Sequence, residues 1–489
     1  MNIALLLQMA AEACPDRTAI TFEGEHYDYQ TLFDAASRAA KTFSESGCRF
    51  VSVLDTSSPA APIALMGAAM AGLPYVPLNY RLTDDQLSAL IERIEPAFLI
   101  TGSGDCQFDV ETHMSRETFL RAAMADGPSI ETWHEDPSAV AVQLFTSGTT
   151  GTPKAALLRH EHLVSYILGS VEFMGAMPEE ATLVSVPPYH IAGISAVMSS
   201  IYACRRQVQL AKFDADTWVQ LCKDEGVTNA FVVPTMLTRI IDVLDEQDDA
   251  QAAFPQLAAI AYGGGKMPVP VIERALKLLP DVNFTNAYGL TETSSTITLL
   301  DPTDHREAIS DTNLRQRLGS VGKALPSIEL EIRDEDGQAI SAGTPGEIYV
   351  RGPQVSGEYD GRSVLDSEGW FPTRDAGYLD DGGYLFLSGR ADDVIVRGGE
   401  NISPGEIEDL LLDRDDVVDA AAVGMASEEW GEAVALALVM KTQVTEATIQ
   451  DFIRSHLRSS RVPEAIRFVD ELPYNETGKL LRRVVREWF

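Results

Sequence analysis

Basic residues are scarce in this sequence of 489 residues. Lysine and arginine together number 38 against 73 aspartates and glutamates, so the formal net charge is −35. A chain of this charge is repelled by a polyanionic backbone, which disfavours nucleic acid as a partner. We interpret the acidity as a solubilising surface.

Long apolar runs and paired cysteines are also missing. No stretch approaches the roughly 18 uninterrupted apolar residues of a membrane-spanning helix. The first stretch, MNIALLLQMAAEACPD, has no basic segment ahead of its apolar residues, so we predict an amphipathic helix and no export signal. The five cysteines lie far apart without a CxxC pair, which indicates neither a disulfide framework nor a zinc knuckle. We expect a cytoplasmic protein.

Helix-like stretches alternate with short apolar runs over residues 30–101 and again over residues 160–300. The runs FVSVL, AFLIT and LAAIAYGGG are typical of buried strands, and their spacing suits βαβ units. Such units build mostly parallel sheets that are covered on both faces. Residues 325–390 instead carry short β-rich segments punctuated by glycine and aspartate, which indicates an antiparallel region.

A second, smaller pattern of helices and strands follows, and about one hundred residues is a normal size for a small domain. We place the boundary near Asp392. The sequence thus predicts an α/β fold with a large N-terminal domain, residues 1–391, of mostly parallel sheets plus an antiparallel β region. Residues 392–489 form the predicted small α+β C-terminal domain.

The most distinctive stretch is TSGTTGTPK, residues 146–154. Its small and hydroxylated residues let the backbone turn tightly and present several donors to one anion, and Lys154 adds a positive charge. Phosphate is the natural ligand of such a loop. Gly148 and Gly151 are too close together for the pattern G-x-x-x-x-G-K-[ST], which disfavours a P-loop NTPase. A polar surface hairpin is the alternative interpretation.

Five further stretches follow in order: PPYHIAG (187–193), NAYGLTET (286–293), GEIYVRG (346–352), GRADDVIVRGGENISPGEIE (389–408) and LPYNETGKLLR (472–482). Together with TSGTTGTPK they resemble the signatures of the adenylate-forming superfamily, which includes acyl-CoA synthetases, aryl-CoA ligases, luciferases and peptide-synthetase adenylation domains. The resemblance covers essentially the whole chain. It implies that ATP activates a carboxylic acid as an acyl-adenylate, whose acyl group then passes to a thiol or an amine.

The resemblance implies a nucleotide site shared with Mg²⁺. Tyr288 would lie along the adenine, Thr291 would contact phosphate, and Glu292 would hold the metal, because a carboxylate beside phosphates makes chemical sense only with a cation between them. Asp375 would take the ribose hydroxyls, and Arg390 the ribose or phosphate. The full set implied for ATP is Thr146, Ser147, Gly148, Thr149, Thr150, Gly151, Lys154, Gly264, Gly265, Asn286, Ala287, Tyr288, Gly289, Thr291, Asp375, Arg390 and Lys479.

Each of these motifs also has a purely structural interpretation. Thr291 or Thr293 could cap a helix, and Asp375 could be a turn residue. The chain also departs from the family, which usually has glycine before the aspartate, where this sequence has Arg374. This departure predicts either a shifted loop or an added charge near the nucleotide.

The resemblance implies four catalytic residues: Thr146, His190, Glu292 and Lys479. Lys479 matches the lysine that bridges the carboxylate and the α-phosphate during adenylation. The implied C-terminal domain is mobile and pivots at a hinge, Asp392, to bring a second loop to the acceptor's tunnel. This loop consists of Arg397, Gly398 and Gly399, and glycines without side chains would admit the narrow arm of CoA. A Gly-Gly turn ahead of a helix that begins near Ser403 is the alternative.

The implied acyl pocket has apolar or small walls. Ile191 stands where amino-acid-activating relatives tend to carry an aspartate, and an unpaired ammonium would be costly to bury there, so an amino acid is disfavoured. The lining suits an aliphatic acid, as in fatty acid metabolism, or an aromatic acid. The predicted substrate-binding residues are His190, Ile191, Ile194, Val233, Pro234, Gly263, Gly264, Ala287 and Thr296.

Three functions remain. The first is an acid–CoA ligase that uses ATP, Mg²⁺ and CoA, which the stretch GGENISPGEIE favours. The second is an acyl-adenylate-forming enzyme that loads a carrier-protein thiol or an amine. The third is a nucleotide-binding protein without catalysis, which the joint presence of Lys154, Glu292, Asp375, Arg390 and Lys479 disfavours. A carrier protein and a homodimer are left open as partners.

Overall fold

The computed structural model describes residues 1–102, 106–133, 135–146, 153–246, 254–390, 393–398, 400–427, 429–474 and 480–489. Helices in these ranges pack on the two large sheets and on a smaller sheet near the C-terminus. They are α1 (Ala4–Ala13), α2 (Tyr29–Glu45), α3 (Ala60–Ala71), α4 (Asp84–Glu92), α5 (Arg116–Met124), α6 (His160–Ser170), α7 (Ile191–Tyr202), α8 (Ala215–Asp224), α9 (Pro234–Asp245), α10 (Val269–Leu278), α11 (Pro302–Ser310), α12 (Pro404–Leu412), α13 (Glu446–His456) and α14 (Arg482–Arg486).

The strands form four sheets. In chain order they are β1 (Thr18–Phe22), β2 (Glu25–Asp28), β3 (Phe50–Leu54), β4 (Tyr75–Pro77), β5 (Ala97–Thr101), β6 (Thr112–Ser115), β7 (Val140–Thr146), β8 (Lys154–Arg159), β9 (Ala181–Val184), β10 (Arg206–Gln209), β11 (Asn229–Val232), β12 (Ala259–Gly263), β13 (Asn283–Leu290), β14 (Ser295–Leu300), β15 (Lys323–Ala324), β16 (Glu329–Arg333), β17 (Gly346–Arg351), β18 (Glu358–Tyr359), β19 (Arg362–Ser363), β20 (Phe371–Leu379), β21 (Leu385–Arg390), β22 (Ile395–Arg397), β23 (Glu400–Ile402), β24 (Val417–Ser427), β25 (Gly431–Met440) and β26 (Ala465–Phe468).

The two largest sheets are mostly parallel. The nine-stranded sheet has the order β15-β14-β13-β12-β11-β9-β10-β1-β2, and its strands from β13 to β1 run parallel. The eight-stranded sheet has the order β19-β18-β8-β7-β4-β3-β5-β6, and its strands from β7 to β6 run parallel. Each sheet carries antiparallel strands at an edge. This arrangement confirms the predicted α/β class.

Buried helices join the two large sheets. Leu6 of α1, Phe43 of α2 and Met198 of α7 belong to one apolar cluster that also contains Ile20 of the nine-stranded sheet and Val51 of the eight-stranded sheet. Helices α8 to α10 pack a second cluster against the nine-stranded sheet. The core therefore lies in layers on both faces of that sheet, as expected for parallel strands.

Local sequence explains why these helices form. In α2 the side chain of Asp28 accepts a hydrogen bond from the backbone N–H of Thr31, which caps the helix. Leu32, Ala36 and Phe43 recur at helical spacing and are fully buried. The predicted helix at the amino terminus is also confirmed as α1, with its apolar side in the core.

The region of residues 325–390 is antiparallel, as predicted. Its sheet has the order β16-β17-β20-β21, and each pair of neighbours runs antiparallel. The last sheet is built around β22, β24 and β25, with α12 and α13 packed on it. No helix in the described ranges has the length and apolar character needed to cross a bilayer.

Direct contacts join this last sheet's helix α12 to the rest of the chain. Ser403 donates its hydroxyl hydrogen to the carbonyl of Ser388 at 2.6 Å. The Nζ atom of Lys266 lies 2.6 Å from a carboxylate oxygen of Asp409. Lys266 directly follows the glycines at the end of β12, so the orientation of α12 is coupled to that loop.

Candidate active site

The two ends of the predicted phosphate loop lie side by side. Thr146 is the last residue of β7 and stands opposite Lys154, the first residue of β8, in an antiparallel pair. The hydroxyl of Thr146 lies 3.4 Å from the carbonyl oxygen of Lys154. The strand pair therefore fixes where the loop starts and ends. Five predicted loop residues lie outside the described ranges: Ser147, Gly148, Thr149, Thr150 and Gly151.

The predicted glycine and alanine walls meet where β12 and β13 end. Gly263 pairs with Ala287 across these parallel strands, and a Cβ at Gly263 would overlap the carbonyl oxygen of Ala287. Gly264 has a φ of +80°, which an L side chain rarely adopts. The backbone geometry by itself therefore requires glycine at Gly263 and Gly264. Because these residues have no side chains, the ends of the two strands stay open. Gly265 follows in the same turn.

Tyr288, Asp375 and Arg390 form one hydrogen-bonded group. The hydroxyl of Tyr288 donates to Oδ2 of Asp375 at 2.6 Å, and Nη1 of Arg390 donates to Oδ1 at 2.7 Å. Burial and the neighbouring Asp375 carboxylate raise the pKa of Tyr288, which keeps its hydroxyl protonated. Burial acts to lower the pKa of Arg390, but Asp375 outweighs it and the pKa is raised. One donor on each carboxylate oxygen leaves lone pairs for further donors, as a ribose would supply.

Glu292 is buried in a short turn. It lies in the 3₁₀ segment Thr291–Thr293 after β13, and it is only 6% exposed. The hydroxyl of Tyr359 donates to its Oε1 atom. Thr293 exchanges hydrogen bonds with the backbone of Leu290, which is a structural role. Thr291 is half-buried on the same turn.

The residues predicted to bind metal and phosphate, Glu292 and Lys154, both contact Tyr359. The Nζ atom of Lys154 lies 5.6 Å from the ring centroid of Tyr359, whose hydroxyl reaches Glu292. The Glu292 charge also acts on Arg390, which joins the two groups electrostatically. In the part of the chain that the structure describes, no three histidine, cysteine or acidic side chains converge on one point. Glu292 supplies one carboxylate beside the residues predicted for phosphate, and Mg²⁺ commonly takes one or two carboxylates plus phosphate and water oxygens.

The structure places His190 at the start of α7, as its N-cap residue. Its backbone carbonyl accepts from the N–H groups of Gly193 at 3.0 Å and Ile194 at 3.2 Å. The ring of Tyr189 packs on that of His190, with centroids 4.5 Å apart. A Cβ at Gly193 would press on the carbonyl oxygen of Pro187. The motif PPYHIAG therefore fixes the direction in which His190 and α7 enter the site.

The remaining predicted wall residues come from three elements. Ile191 and Ile194 lie in the first turn of α7, Val233 and Pro234 open α9, and Thr296 stands opposite Gly289 in the pair β13 and β14. Asn286, predicted for the nucleotide, is buried and donates its side-chain amide to the carbonyl of Ser320 at 3.1 Å. In the structure the Asn286 side chain thus bonds the backbone of a neighbouring segment.

Arg374 occupies a backbone conformation that favours glycine. Its φ is +61°, and it lies where the register between β17 and β20 shifts. The side chain is 63% exposed, and its Nε atom lies 3.8 Å from Glu347. The backbone thus keeps the shape that a glycine would take, and the arginine accepts a strained φ. Of the two sequence expectations, the added charge fits better than a displaced loop, because Asp375 still reaches Tyr288.

The two described residues of the predicted CoA loop contact the C-terminal part of the chain. Nη2 of Arg397 lies 2.7 Å from Glu464, and its guanidinium packs on the ring of Trp430 at 5.2 Å. Gly398 has a φ of +58°, and a Cβ there would press on Trp430. The turn therefore needs glycine for packing, and Ser403 is the N-cap residue of α12 as the structural interpretation predicted. Asp392, Gly399 and Lys479 lie outside the described residues.

Sequence reasoning missed two residues of the site. Tyr359 contacts the predicted metal-binding carboxylate, and Gln354 donates its amide to the backbone carbonyls of Thr293 at 2.9 Å and Thr296 at 2.8 Å. Gln354 thereby holds the turn that carries Glu292. Both residues follow the motif GEIYVRG in the stretch PQVSGEYDG. A lone tyrosine or glutamine after a strand gives no signal, because its partners lie 58 to 67 residues away in sequence.

The chain matches one enzyme family over most of its length. The family described as AMP-binding enzyme matches residues 7–360, and the AMP-binding enzyme C-terminal domain matches residues 406–479. The chain therefore belongs to the AMP-binding enzyme family and, with it, to the adenylate-forming superfamily, which confirms the resemblance of its motifs.

Particular relatives are similar along their whole length. A 2-succinylbenzoate–CoA ligase from Bacillus cereus (strain Q1) is 32% identical over 491 residues, with 98% of each chain covered. The o-succinylbenzoate–CoA synthetase from Bacillus subtilis, solved with its acyl-adenylate intermediate, is 28% identical with a TM-score of 0.85, over 98% of this chain and 97% of that one. The same protein has been solved with ATP and a magnesium ion, with a TM-score of 0.85 at 28% identity over 98% of both chains.

Proposed function

We propose that this protein is an AMP-forming acid–CoA ligase that activates an aromatic carboxylic acid through an acyl-adenylate. One observation carries the proposal: the hydrogen-bonded group of Tyr288, Asp375 and Arg390, which we assign to the nucleoside, adjoins Lys154 and Glu292, which we assign to phosphate and metal. The relatives that match nearly the whole chain are named CoA ligases, which supports CoA as the acceptor.

The proposed reaction solves a chemical problem of carboxylates. A carboxylate is a poor electrophile, so its oxygen attacks the α-phosphate of ATP and pyrophosphate leaves. The thiolate of CoA then attacks the resulting mixed anhydride, and AMP leaves. Charge builds on the phosphoryl oxygens in the first step, so donors and cations must converge there. Mg²⁺ bound at Glu292 would supply part of that positive charge.

The proposed nucleotide roles follow the contacts. Asp375 accepts the ribose hydroxyls while Tyr288 and Arg390 hold it in place, and Tyr288 forms one wall for the adenine. Lys154 and the hydroxylated loop that begins at Thr146 bind the phosphate tail, with Thr291 at the same end. The remaining predicted ATP contacts, Gly264, Gly265, Asn286, Ala287 and Gly289, stand as proposals on the same basis.

The proposed acyl site lies between α7, α9 and the end of β13. His190 lies at the entrance for the carboxylate, and Ile194, Val233 and Thr296 contribute apolar or small walls. The named relatives act on 2-succinylbenzoate, which supports an aromatic acid over a fatty acid as the substrate. Ile191 at the pocket's edge disfavours an amino acid, as argued from the sequence.

We also propose that residues 392–489 form a domain that turns about Asp392 between the two half-reactions. In one orientation Lys479 bridges the carboxylate and the α-phosphate. In the other, the loop of Arg397, Gly398 and Gly399 lines the path of CoA. The ion pair of Arg397 with Glu464 and its packing on Trp430 support an orientation in which this loop is not yet engaged with CoA.

Identification of the product by mass tests the proposal. The purified protein would be incubated with Mg-ATP and one acid at a time, namely 2-succinylbenzoate, benzoate, hexanoate or laurate, and with CoA, a holo carrier protein or a primary amine. We expect an aryl-CoA thioester and AMP, with 2-succinylbenzoate or benzoate as the best acid. An acylated carrier protein or an amide in its place would establish the alternative acceptor, and turnover of laurate alone would refute the aromatic substrate.

A further inference from the structure

Tyr359 is fixed beside the start of β8. It ends the two-residue strand β18 and stands opposite Ala156, while the next residue, Asp360, donates its backbone N–H to the carbonyl of Ala155 at 2.9 Å. Arg93 holds the same segment, because its guanidinium lies 2.9 Å from the Asp360 carboxylate and donates to the carbonyl of Pro153. The ring therefore has a defined position next to Lys154.

The same segment is tied to Glu292. Ser356 donates its backbone N–H to the carbonyl oxygen of Glu292 at 2.8 Å, and the hydroxyl of Tyr359 donates to the Glu292 carboxylate. One short segment thus joins the end of the phosphate loop to the turn that carries the metal-binding carboxylate. Two backbone hydrogen bonds, one to Ala155 and one to Glu292, therefore fix the position of the Tyr359 side chain.

Tyr359 separates two groups of opposite charge. The Lys154 ammonium lies 5.6 Å from the ring centroid, at a distance typical of a cation–π contact, and the carboxylate accepts the hydroxyl hydrogen. Within the described ranges, neither Lys154 nor Glu292 takes part in an ion pair. A direct pair between them would neutralise both groups before any phosphate or metal reached them. Tyr359 instead contacts each group with a different part of its side chain, the ring for Lys154 and the hydroxyl for Glu292.

We propose that Tyr359 is a positioning residue that orients the Glu292 carboxylate for Mg²⁺ and holds Lys154 toward the phosphates. The proposal rests on the proposed function, which assigns the metal to Glu292. Hydrogen bonds to a ligating carboxylate set its orientation, and their loss commonly weakens metal binding by about 10- to 100-fold. The carboxylate's second oxygen remains available for the metal while Oε1 accepts from Tyr359.

Two substitutions separate the two contacts. Tyr359→Phe removes the hydroxyl and keeps the ring beside Lys154, whereas Tyr359→Leu removes both. Binding of Mn²⁺ to the protein with saturating ATP and no acid would be measured by electron paramagnetic resonance. Binding of a fluorescent ATP analogue would be measured separately in EDTA. Tyr349→Phe, a tyrosine of β17 outside the site, is the matched control.

Tyr359→Phe is expected to weaken Mn²⁺ binding by about 10-fold or more while leaving the metal-free affinity for the ATP analogue unchanged. Tyr359→Leu is expected to lower both affinities, and Tyr349→Phe neither. Wild-type Mn²⁺ affinity in Tyr359→Phe would overturn the proposal. If circular dichroism shows that Tyr359→Phe is misfolded, Tyr359→His replaces it in the test, because histidine keeps a ring and a donor. Tyr359→His is then expected to bind Mn²⁺ more tightly than Tyr359→Leu, and equal affinities would overturn the proposal.

The outcome is independent of the acid and acceptor. A wild-type protein that formed no acyl-CoA but bound Mn²⁺ in a Tyr359-dependent way would refute the proposed function and support the role of Tyr359. Acyl-CoA formation by the wild type, combined with unchanged Mn²⁺ binding in Tyr359→Phe, would support the proposed function and refute the role of Tyr359.

Discussion

The hydroxyl of Tyr288 lies 2.6 Å from one oxygen of Asp375, and Arg390 lies 2.7 Å from the other oxygen. The tyrosine comes from the nine-stranded sheet, and its two partners come from neighbouring strands of the antiparallel sheet. Two residues from different strands, Tyr288 and Arg390, thereby hold the Asp375 carboxylate in a fixed orientation. A preoriented acceptor binds two vicinal hydroxyls at a lower entropic cost than a freely rotating one.

Tyr288→Phe should weaken ATP binding and leave the chemical step nearly intact. The substitution removes one hydrogen bond to a charged group, and a loss of about 1.4 kcal/mol corresponds to about a tenfold rise in the KM for ATP. The measurement is an ATP titration of acid-dependent pyrophosphate exchange. Tyr262→Phe is a matched control, because Tyr262 is a buried tyrosine of the adjacent strand whose hydroxyl bonds His305 at 2.8 Å. An equal rise in KM in the control would contradict a specific role for Tyr288.

Arg374→Gly should stabilise the fold. The φ of +61° costs an L residue roughly 1–2 kcal/mol, and the greater freedom of glycine in the unfolded chain offsets part of that gain. The exposed contact with Glu347 adds little. We expect a free energy of unfolding about 0.5–1 kcal/mol higher than in the wild type, as measured by urea denaturation.

Arg362→Gly is the control for this substitution. Arg362 is an exposed arginine of β19 with an ordinary φ, so its replacement relieves no strain and should destabilise the protein slightly. Equal destabilisation in both variants would show that the conformation at residue 374 carries no cost.

The ion pair of Glu408 and Arg482 should make stability depend on pH. Nη2 of Arg482 lies 2.8 Å from Oε2 of Glu408. Burial alone would raise the pKa of Glu408, but the guanidinium outweighs it, so the pKa is lowered. A carboxyl whose pKa is lower in the folded state stabilises the protein above its unfolded pKa of about 4.3, and this contribution is lost as the pH falls through the folded pKa.

Urea denaturation between pH 7 and pH 3.5 checks this pair. Glu408→Gln should lower the free energy of unfolding at pH 7 by about 3 kcal/mol, the lower end for breaking a buried pair, because Arg482 keeps a second carboxylate, Asp393, 3.6 Å from its Nε atom. The variant should also flatten the decline in stability below about pH 4.3. Asp451→Asn removes an exposed ion pair on α13 and should change neither the free energy of unfolding at pH 7 nor its decline at low pH.

Asp419 has the opposite effect on the pH dependence of stability. Burial raises its pKa in the folded state, so protonation of Asp419 at low pH favours the fold.

Lys479→Ala should separate the two half-reactions. The lysine is proposed to act only while the carboxylate attacks ATP, so adenylation should be lost while transfer from a chemically prepared acyl-adenylate to CoA continues at close to the wild-type rate. Both steps can be followed by mass spectrometry, with the surface lysine substitution Lys441→Ala as a control. If transfer is lost together with adenylation, the two-orientation account of the C-terminal domain is wrong.

The sequence predicted what depends on local pattern. The apolar runs FVSVL and AFLIT became β3 and β5 with the expected bounds, because a buried parallel strand needs little more than a short run of apolar residues. The roles of Glu292 and Asp375 came from the resemblance of their motifs to the adenylate-forming superfamily, and they stay predictions.

Partners from distant elements could not be predicted in this way. Tyr359 reaches Glu292 only because β18 adds to the edge of the eight-stranded sheet, and a strand of two residues has no pattern of its own. Arg374 is similar, since its left-handed backbone is set by the register shift between β17 and β20 and not by arginine's own preference.

Pyrophosphate exchange into ATP tests the central claim most directly. The account predicts exchange that requires both Mg²⁺ and an aromatic acid such as 2-succinylbenzoate, and that is lost in Glu292→Gln while the protein remains folded. Folded wild-type protein that binds ATP but shows no exchange with any carboxylic acid would contradict the assignment of this site to carboxylate activation.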